Sequence, residues 1–396
     1  MRLSERAQNI QASPIRKLVP LANAAKAAGK SVYHLNIGQP DIETPKVMMA
    51  VYKNYQEKIL AYGPSQGLEF YRKNLVKYYQ RQGIELTPDE IIVTTAGSEA
   101  CFFALMATCN PGDEVIIPEP FYTNYSGFAT WAGAKIVPLT TYVEDGFALP
   151  DSDKIESLIT DKTKAIMICN PGNPTGTVYS ATELQRVVQI AIKHDLFVIS
   201  DEVYREFVYD GLKHTSILDF SEIADRAIMV DSISKRYSAC GARIGCIVTH
   251  NEDLLASLLK FAQARLCPPT IEQHAANAAV ALGDKYFSKN IREYDKRRKI
   301  VFAELQKIDN VVCKQPQGAF YIIAKLPVEN AEDFVRWLLT DYSLDNETVM
   351  VAPAEGFYAT EGMGRDEVRL AYILNETDLI KAMKIFRSGL KEYLRK

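Results

Sequence analysis

The chain has 396 residues, enough to bury one large core and leave room for a second, smaller domain. Its formal net charge is −3 and no basic run interleaves with aromatics, so nothing points to nucleic acid as a partner. With 47% hydrophobic and 24% charged residues the composition is that of a soluble globular protein, and apolar stretches meet charge, as at Lys193, His194 and Asp195, before they reach membrane-spanning length.

The start, MRLSERAQNI, is polar and charged and does not read as a signal peptide. From Ile91 to Thr249 short β-rich runs alternate with amphipathic stretches. Strands are expected at Ile91–Thr95, Glu114–Pro118, Lys164–Cys169, Leu196–Ser200, Ala227–Ser232 and Ile244–Thr249, and helices at Ser98–Cys109, Phe121–Trp131 and Ala181–His194. Several strands (IIVTT, AIMIC, LFVIS) are uniformly apolar rather than alternating, as strands covered on both faces by helices are. An open α/β sheet is therefore expected, with its chemistry just beyond the strands' carboxyl ends. After residue 270 the texture changes. A charged helical stretch from about Asp284 to Ile308 leads to GAFYIIAKLP, a helix (AEDFVRWLLTDY), a strand pair (VMVAP and EVRLAYI) and a C-terminal amphipathic helix. This is the pattern of a smaller α+β domain, joined by residues of the N-terminal arm.

The seven cysteines are odd in number, scattered and without a CxxC pair, which fits reduced thiols and a cytoplasmic location. Cys101 and Cys169 fall inside apolar patterns, as small core residues do. Five histidines lie far apart with no HExxH, so no metal site is expected, and neither a Walker A pattern nor a GxGxxG is present. What stands out is an ordered series: Ala96-Gly97-Ser98, Asn173-Pro174-Thr175-Gly176, Asp201 with Tyr204, Ser232-Ile233-Ser234-Lys235, and Arg243. Each member ends a predicted strand or lies in the loop beyond it. AGSEA alone would be an ordinary strand-to-helix turn, although its amides and the positive helix end could hold an anion. Arg243 offers a guanidinium fork suited to a phosphate, and a carboxylate at Asp201, after an apolar strand, needs a cation.

On these motifs, with SPIRK and LNIGQPD near the start and EVRLAYI near the end, the chain resembles class I aminotransferases of pyridoxal 5′-phosphate (PLP) fold type I. It is similar in particular to the aspartate, alanine and aromatic aminotransferase subgroup. The resemblance covers nearly the whole chain. It implies a mostly parallel seven-stranded sheet in a large PLP-binding domain (residues 46–285), a small C-terminal α+β domain (286–396), and an N-terminal arm contributing to the small domain (1–45).

It also implies roles. Lys235 would join the cofactor and later move a proton, which requires partial desolvation of its amine. Ser232, Ser234, Arg243 and the Ala96-Gly97-Ser98 turn would hold the phosphate. Asp201 would face the protonated pyridine nitrogen, Tyr204 and Asn173 the ring oxygen, and Tyr122 the ring face, unless Tyr122 is a core aromatic on its helix. Tyr62 would reach the neighbouring subunit's phosphate, which implies a homodimer with shared sites. Arg369 would clamp the substrate α-carboxylate, with Asn173 and Gly38 beside it. Arg265 would bind a distal carboxylate, help at the dimer interface or form a structural ion pair. The implied reaction moves an amino group between an amino acid and a 2-oxo acid, in an aspartate aminotransferase-like enzyme with glutamate/2-oxoglutarate as one pair. Alanine or an aromatic amino acid is the alternative donor, and a C–S β-lyase on the same scaffold is the rival class. Ser98 stands where many bacterial aspartate aminotransferases of the subgroup place a lysine.

Overall fold

In the computed structural model, which describes residues 2–396, an N-terminal arm runs through a helix at Val19–Ala27 into a short strand, β1 (Ser31–His34). Then come the strands of the large sheet: β2 (Ile91–Thr95), β3 (Glu114–Glu119), β4 (Lys135–Thr140), β5 (Thr163–Cys169), β6 (Phe197–Asp201), β7 (Ala227–Ser232) and β8 (Ile244–Val248). Their order across the sheet is β2-β8-β7-β6-β5-β3-β4. All neighbours are parallel except β8, which runs antiparallel to both β2 and β7. Uniformly apolar strands become strands buried on both faces, with one hydrophobic cluster on each side of the sheet.

The covering helices follow from local signals. At Ala181–His194 the Ser180 side chain accepts the Glu183 N–H while Glu183 reaches back to the Ser180 N–H, satisfying two amides that the helix leaves free. Leu184, Val187, Val188 and Ala191 then recur on one buried face.

Beyond residue 320, β9 (Tyr321–Lys325), β10 (Glu347–Met350), β11 (Ala352–Pro353) and β12 (Glu367–Ala371) build two small sheets. β12 lies between β9 and β11, antiparallel to both, while β10 pairs in parallel with β1. The VMVAP segment is thus not one strand. Met350 still faces His34, whereas Ala352 faces Arg369, so the chain changes sheets at Val351. Helices Asp284–Leu305, Ala331–Thr340 and Glu376–Tyr393 enclose a further core shared with Leu18, Ala22 and Leu35 of the arm. Glu119, at the end of β3, is fully buried and accepts the Ala359 and Thr360 N–H groups at 2.8 and 3.1 Å, tying the large sheet to the C-terminal segment.

The parallel strands carry their carboxyl ends to one edge of the sheet. Because β8 is antiparallel, its amino end arrives at that edge too, and the β7–β8 connection brings Lys235 and Arg243 there together. Gly245 makes this approach possible. A Cβ there would stand 2.5 Å from the Ala96 carbonyl carbon and 2.7 Å from the Gly97 nitrogen.

Candidate active site

At that edge lies a cavity of about 350 Å³, within the size range of small-molecule sites. The helix Ala96–Thr108 opens onto it directly from β2, with Ala96, Gly97 and Ser98 in its wall. Its first N–H groups and positive end are chemically suited to an anion. Ser232 Oγ lies 2.9 Å from both Ser234 Oγ and the Ile244 carbonyl, so the two hydroxyls form one polar cluster. Arg243 also lines the cavity, held at a left-handed φ of 54° with its Nη1 donating to the Cys240 carbonyl at 3.1 Å. Strain of this kind concentrates at functional sites.

Lys235 Nζ donates to the Gly38 carbonyl at 2.8 Å and stands 5.9 Å from the ring centres of both Tyr204 and Phe320. No carboxylate pairs with it among the described residues. Gly38 is required by the closeness of Tyr321, whose hydroxyl oxygen would lie 1.7 Å from an added Cβ. Tyr321 Oη is in turn 2.9 Å from Tyr204 Oη, and Asn173 Nδ2 donates to Tyr204 Oη at 3.4 Å.

Asp201 ends β6, 6% exposed. Tyr125 Oη donates to its Oδ2 at 2.7 Å and the Val203 N–H to its Oδ1 at 3.3 Å. Burial nevertheless pushes its carboxyl up to about 6, because no cationic side chain pairs with it among the described residues. Tyr122, from the loop after β3, puts its ring in the same wall, with its hydroxyl accepting from Asn124 Nδ2 at 2.8 Å. Burial also pushes the Tyr122 hydroxyl up, to about 12.

Arg369 projects from β12, 1% exposed, between the rings of Tyr321 and Phe357 at 4.6 and 4.8 Å from their centres. Its Nη1 donates to Asn173 Oδ1 at 3.1 Å and its Nη2 to the Asn36 carbonyl at 2.5 Å, while Nε is buried without a partner. A guanidinium so confined can meet only a group that enters the cavity. Arg16, in the SPIRK segment, lines the cavity as well, exposed and without an ion pair among the described residues.

A family model, "Aminotransferase class I and II", matches residues 30–385. The chain belongs to this family. It is 34% identical over 402 residues to an aspartate aminotransferase of Pyrococcus abyssi, with 99% of each chain covered. An aromatic-amino-acid aminotransferase of Thermococcus litoralis is 31% identical over 402 residues, again covering 99% of each. Among solved structures, an alanine aminotransferase from Pyrococcus furiosus superposes with a TM-score of 0.90 at 33% identity, covering 99% of this chain and 100% of that one. The protein is accordingly a PLP-dependent aminotransferase.

The aminotransferase's cavity fits that cofactor on its own chemistry. A buried carboxylate that lacks a cation (Asp201) suits a protonated ring nitrogen. Two hydroxyls, a helix amino end and Arg243 suit a phosphate, and an amine free of carboxylates (Lys235) suits an aldehyde.

The structure brings together in this one wall Gly38, Ala96, Gly97, Ser98, Tyr122 and Asn173 with Asp201, Tyr204, Ser232, Ser234, Lys235, Arg243 and Arg369. Two expected site residues lie outside it. Tyr62, expected to reach a neighbouring subunit's phosphate, is 81% exposed and does not line this cavity. Arg265 is turned elsewhere. Its Nη1 donates to Glu99 Oε2 at 3.0 Å, a structural ion pair with the Ala96–Thr108 helix, and its Nη2 to the carbonyl of Ser65, in the loop before the Glu69–Gln80 helix, at 2.9 Å. Sequence reasoning missed Tyr125, Tyr321 and Arg16. Tyr125 and Tyr321 stand in motifs already quoted, EPFYTNY and GAFY, and Arg16 stands in SPIRK, so the signal available was adjacency to marked residues.

Proposed function

We propose that this aminotransferase uses glutamate/2-oxoglutarate as one substrate pair, and aspartate, alanine or an aromatic amino acid with its oxo acid as the other. The observation that carries the reading is the unpaired Arg16 guanidinium in the wall of the cavity that holds Arg369. Two separate cations suit the two carboxylates of a dicarboxylic substrate. The relatives named for aspartate, alanine and aromatic amino acids support the second pair.

Once bound, PLP supplies a sink for the electrons left when the substrate Cα loses its proton. Every other part of the work falls to side chains. Lys235 would hold the cofactor, then take the proton from the substrate Cα and deliver it to the cofactor carbon that carries the transferred nitrogen. Asp201 keeps the ring nitrogen protonated, and the cation it gains removes the penalty of its own burial. Tyr204 and Asn173 donate to the ring oxygen, and Tyr122 covers the ring. Ser232, Ser234, Arg243 and the amides of Ala96, Gly97 and Ser98 hold the phosphate. Arg369 grips the α-carboxylate bidentately beside Asn173 and Gly38, and Arg16 takes the distal one. Arg265 then acts through Glu99, which accepts the Thr95 N–H at 2.7 Å, to hold the start of the phosphate-binding helix.

We infer a homodimer in which Tyr62 completes the partner's phosphate site. The segment carrying it leaves Ile59, Leu60 and Tyr62 largely exposed, an apolar strip that a second copy would cover. The two parts of the chain are read as a large PLP-binding domain over 46–285 and a small domain over 286–396, with the arm joining the latter. All seven cysteines are free, which supports a cytoplasmic location. Among the described residues no helix is long and apolar enough to cross a membrane.

A panel of amino donors, followed by the change in cofactor absorbance, tests the substrate reading. Glutamate is expected to react readily. Arg16→Ala should lower kcat/KM for glutamate and aspartate by roughly 10- to 100-fold, the worth of one charged hydrogen-bonded contact, and leave alanine within about twofold. A loss shared equally by all donors, or none, would remove Arg16 from substrate recognition.

A further inference from the structure

Lys235 sits on a helix of only four residues, Ile233–Arg236. One turn of helix fixes several backbone dihedrals for about one hydrogen bond and does not hold itself in place. Ser232, Ser234 and Lys235, three groups that must point into the cavity, therefore need an external fixture. The residues flanking them supply one. Asp231 precedes Ser232 and Arg236 follows Lys235. Arg236 Nη2 donates to Asp231 Oδ2, closing a ring around the four residues between them. Asp231 Oδ1 accepts the Ser232 N–H at 2.6 Å, so the same carboxylate also sets the first residue of the turn.

The clasp is anchored outside the turn as well. Arg236 Nε donates to Glu206 Oε1 at 2.5 Å, and its guanidinium lies 4.2 Å from the centre of the Tyr78 ring. Tyr79 Oη donates to Asp231 Oδ2 at 2.8 Å, and Tyr78 Oη donates to Glu206. Side-chain exposure is 2% for Arg236, 1% for Asp231 and 8% for Glu206. Ion pairs buried so deeply are often no more stabilising than apolar packing of the same shape. In some proteins such a pair instead fixes one arrangement of a segment.

We propose that Arg236 is a positioning residue of this aminotransferase: its clasp with Asp231, anchored on Glu206, holds the Ser232–Lys235 turn in the one conformation that presents the phosphate-binding hydroxyls and the cofactor amine together. The proposal rests on the reading of Lys235 as the cofactor lysine. It also has an electrostatic consequence. Without the guanidinium, two buried carboxylates next to the turn have lost a shared cation, and any proton on the bound amine is held more tightly.

The test compares Arg236→Met and Arg236→Lys with the unaltered enzyme. Three quantities are measured: PLP affinity of the apoprotein by equilibrium dialysis, the pH midpoint of the bound cofactor's absorbance change, and thermal melting without cofactor. Arg236→Met should weaken PLP binding at least tenfold and move the midpoint up by about one pH unit, with Arg236→Lys between it and the unaltered enzyme. A lower melting temperature with unchanged affinity and midpoint would reduce the clasp to a structural ion pair and overturn the proposal. Should Arg236→Met fail to fold, Arg236→Lys decides alone, because it keeps the charge but cannot reach both carboxylates as a fork. A threefold or greater loss of PLP affinity supports the clasp, and unaltered affinity overturns it. Borohydride labelling of the unaltered enzyme separates the two levels. Label away from Lys235 removes the cofactor reading itself, whereas label on Lys235 with normal affinity in the variants removes only the clasp.

Discussion

Asp201 should make the apoprotein less stable than it needs to be. Its carboxyl is pushed by burial from an ordinary value of 3.8 up to about 6, so the folded chain holds this proton more tightly than the unfolded chain does. Between those two values stability falls as pH rises, and above about 6 the full cost of a buried uncompensated charge is present. The difference is about 2 pH units, or about 3 kcal/mol at 1.36 kcal/mol per unit. Asp201→Asn removes the charge, keeps Oδ1 for the Val203 N–H, and puts in place of Oδ2 an NH2 group that can donate to the Tyr125 hydroxyl oxygen, so neither bond need be lost. For 396 residues unfolding together the entropy of unfolding is about 0.8 kcal/mol/K, so the apo variant should melt up to about 4 °C higher at pH 7.5. The gain should fall to about half at pH 5 and approach zero near pH 4. Calorimetry of cofactor-free protein in phosphate-free buffer measures it, and added PLP should narrow the gap by giving Asp201 its cation. No gain at pH 7.5, or a gain that persists unchanged to pH 4, would refute the reasoning.

Arg369→Lys keeps a charge but loses the planar fork held between Tyr321 and Phe357, so kcat/KM for every amino donor should fall together, by about 2–4 kcal/mol in transition-state stabilisation. A loss confined to some donors would show that Arg369 reads the side chain instead. Mixing inactive Lys235→Ala with inactive Tyr62→Ala subunits should restore part of the activity, because one of the two sites in a heterodimer then has both residues intact. Absence of recovery after confirmed subunit exchange would mean that each site is built from one chain.

Much of the sheet is legible in the sequence because its strands are buried on both faces and read as continuous apolar runs (IIVTT, AIMIC, LFVIS). The edge strand Lys135–Thr140 escapes that signal. It is only half-buried along most of its length and contains Pro138, which an edge position tolerates. The four-residue β1 is equally hidden, since its partner lies over 300 positions away at Glu347–Met350 and nothing local announces the pairing. Cavity-lining positions at strand ends were readable because α/β sheets place their chemistry there. Which arginine faces the cavity was not. Arg265 and Arg16 are alike in sequence terms, and only packing shows that Glu99 and three carbonyls occupy the first, while the second has no ion pair among the described residues. The Asp231–Arg236 clasp was unreadable for the same reason, because its anchors come from residues 78, 79 and 206.

The central claim is that the cavity at the sheet edge holds PLP on Lys235. Reduction of the holoenzyme with borohydride, followed by proteolysis and mass mapping, tests it most directly. The account predicts a single pyridoxyl label on Lys235, absent from the correctly folded Lys235→Ala variant. A label on any other lysine would contradict it.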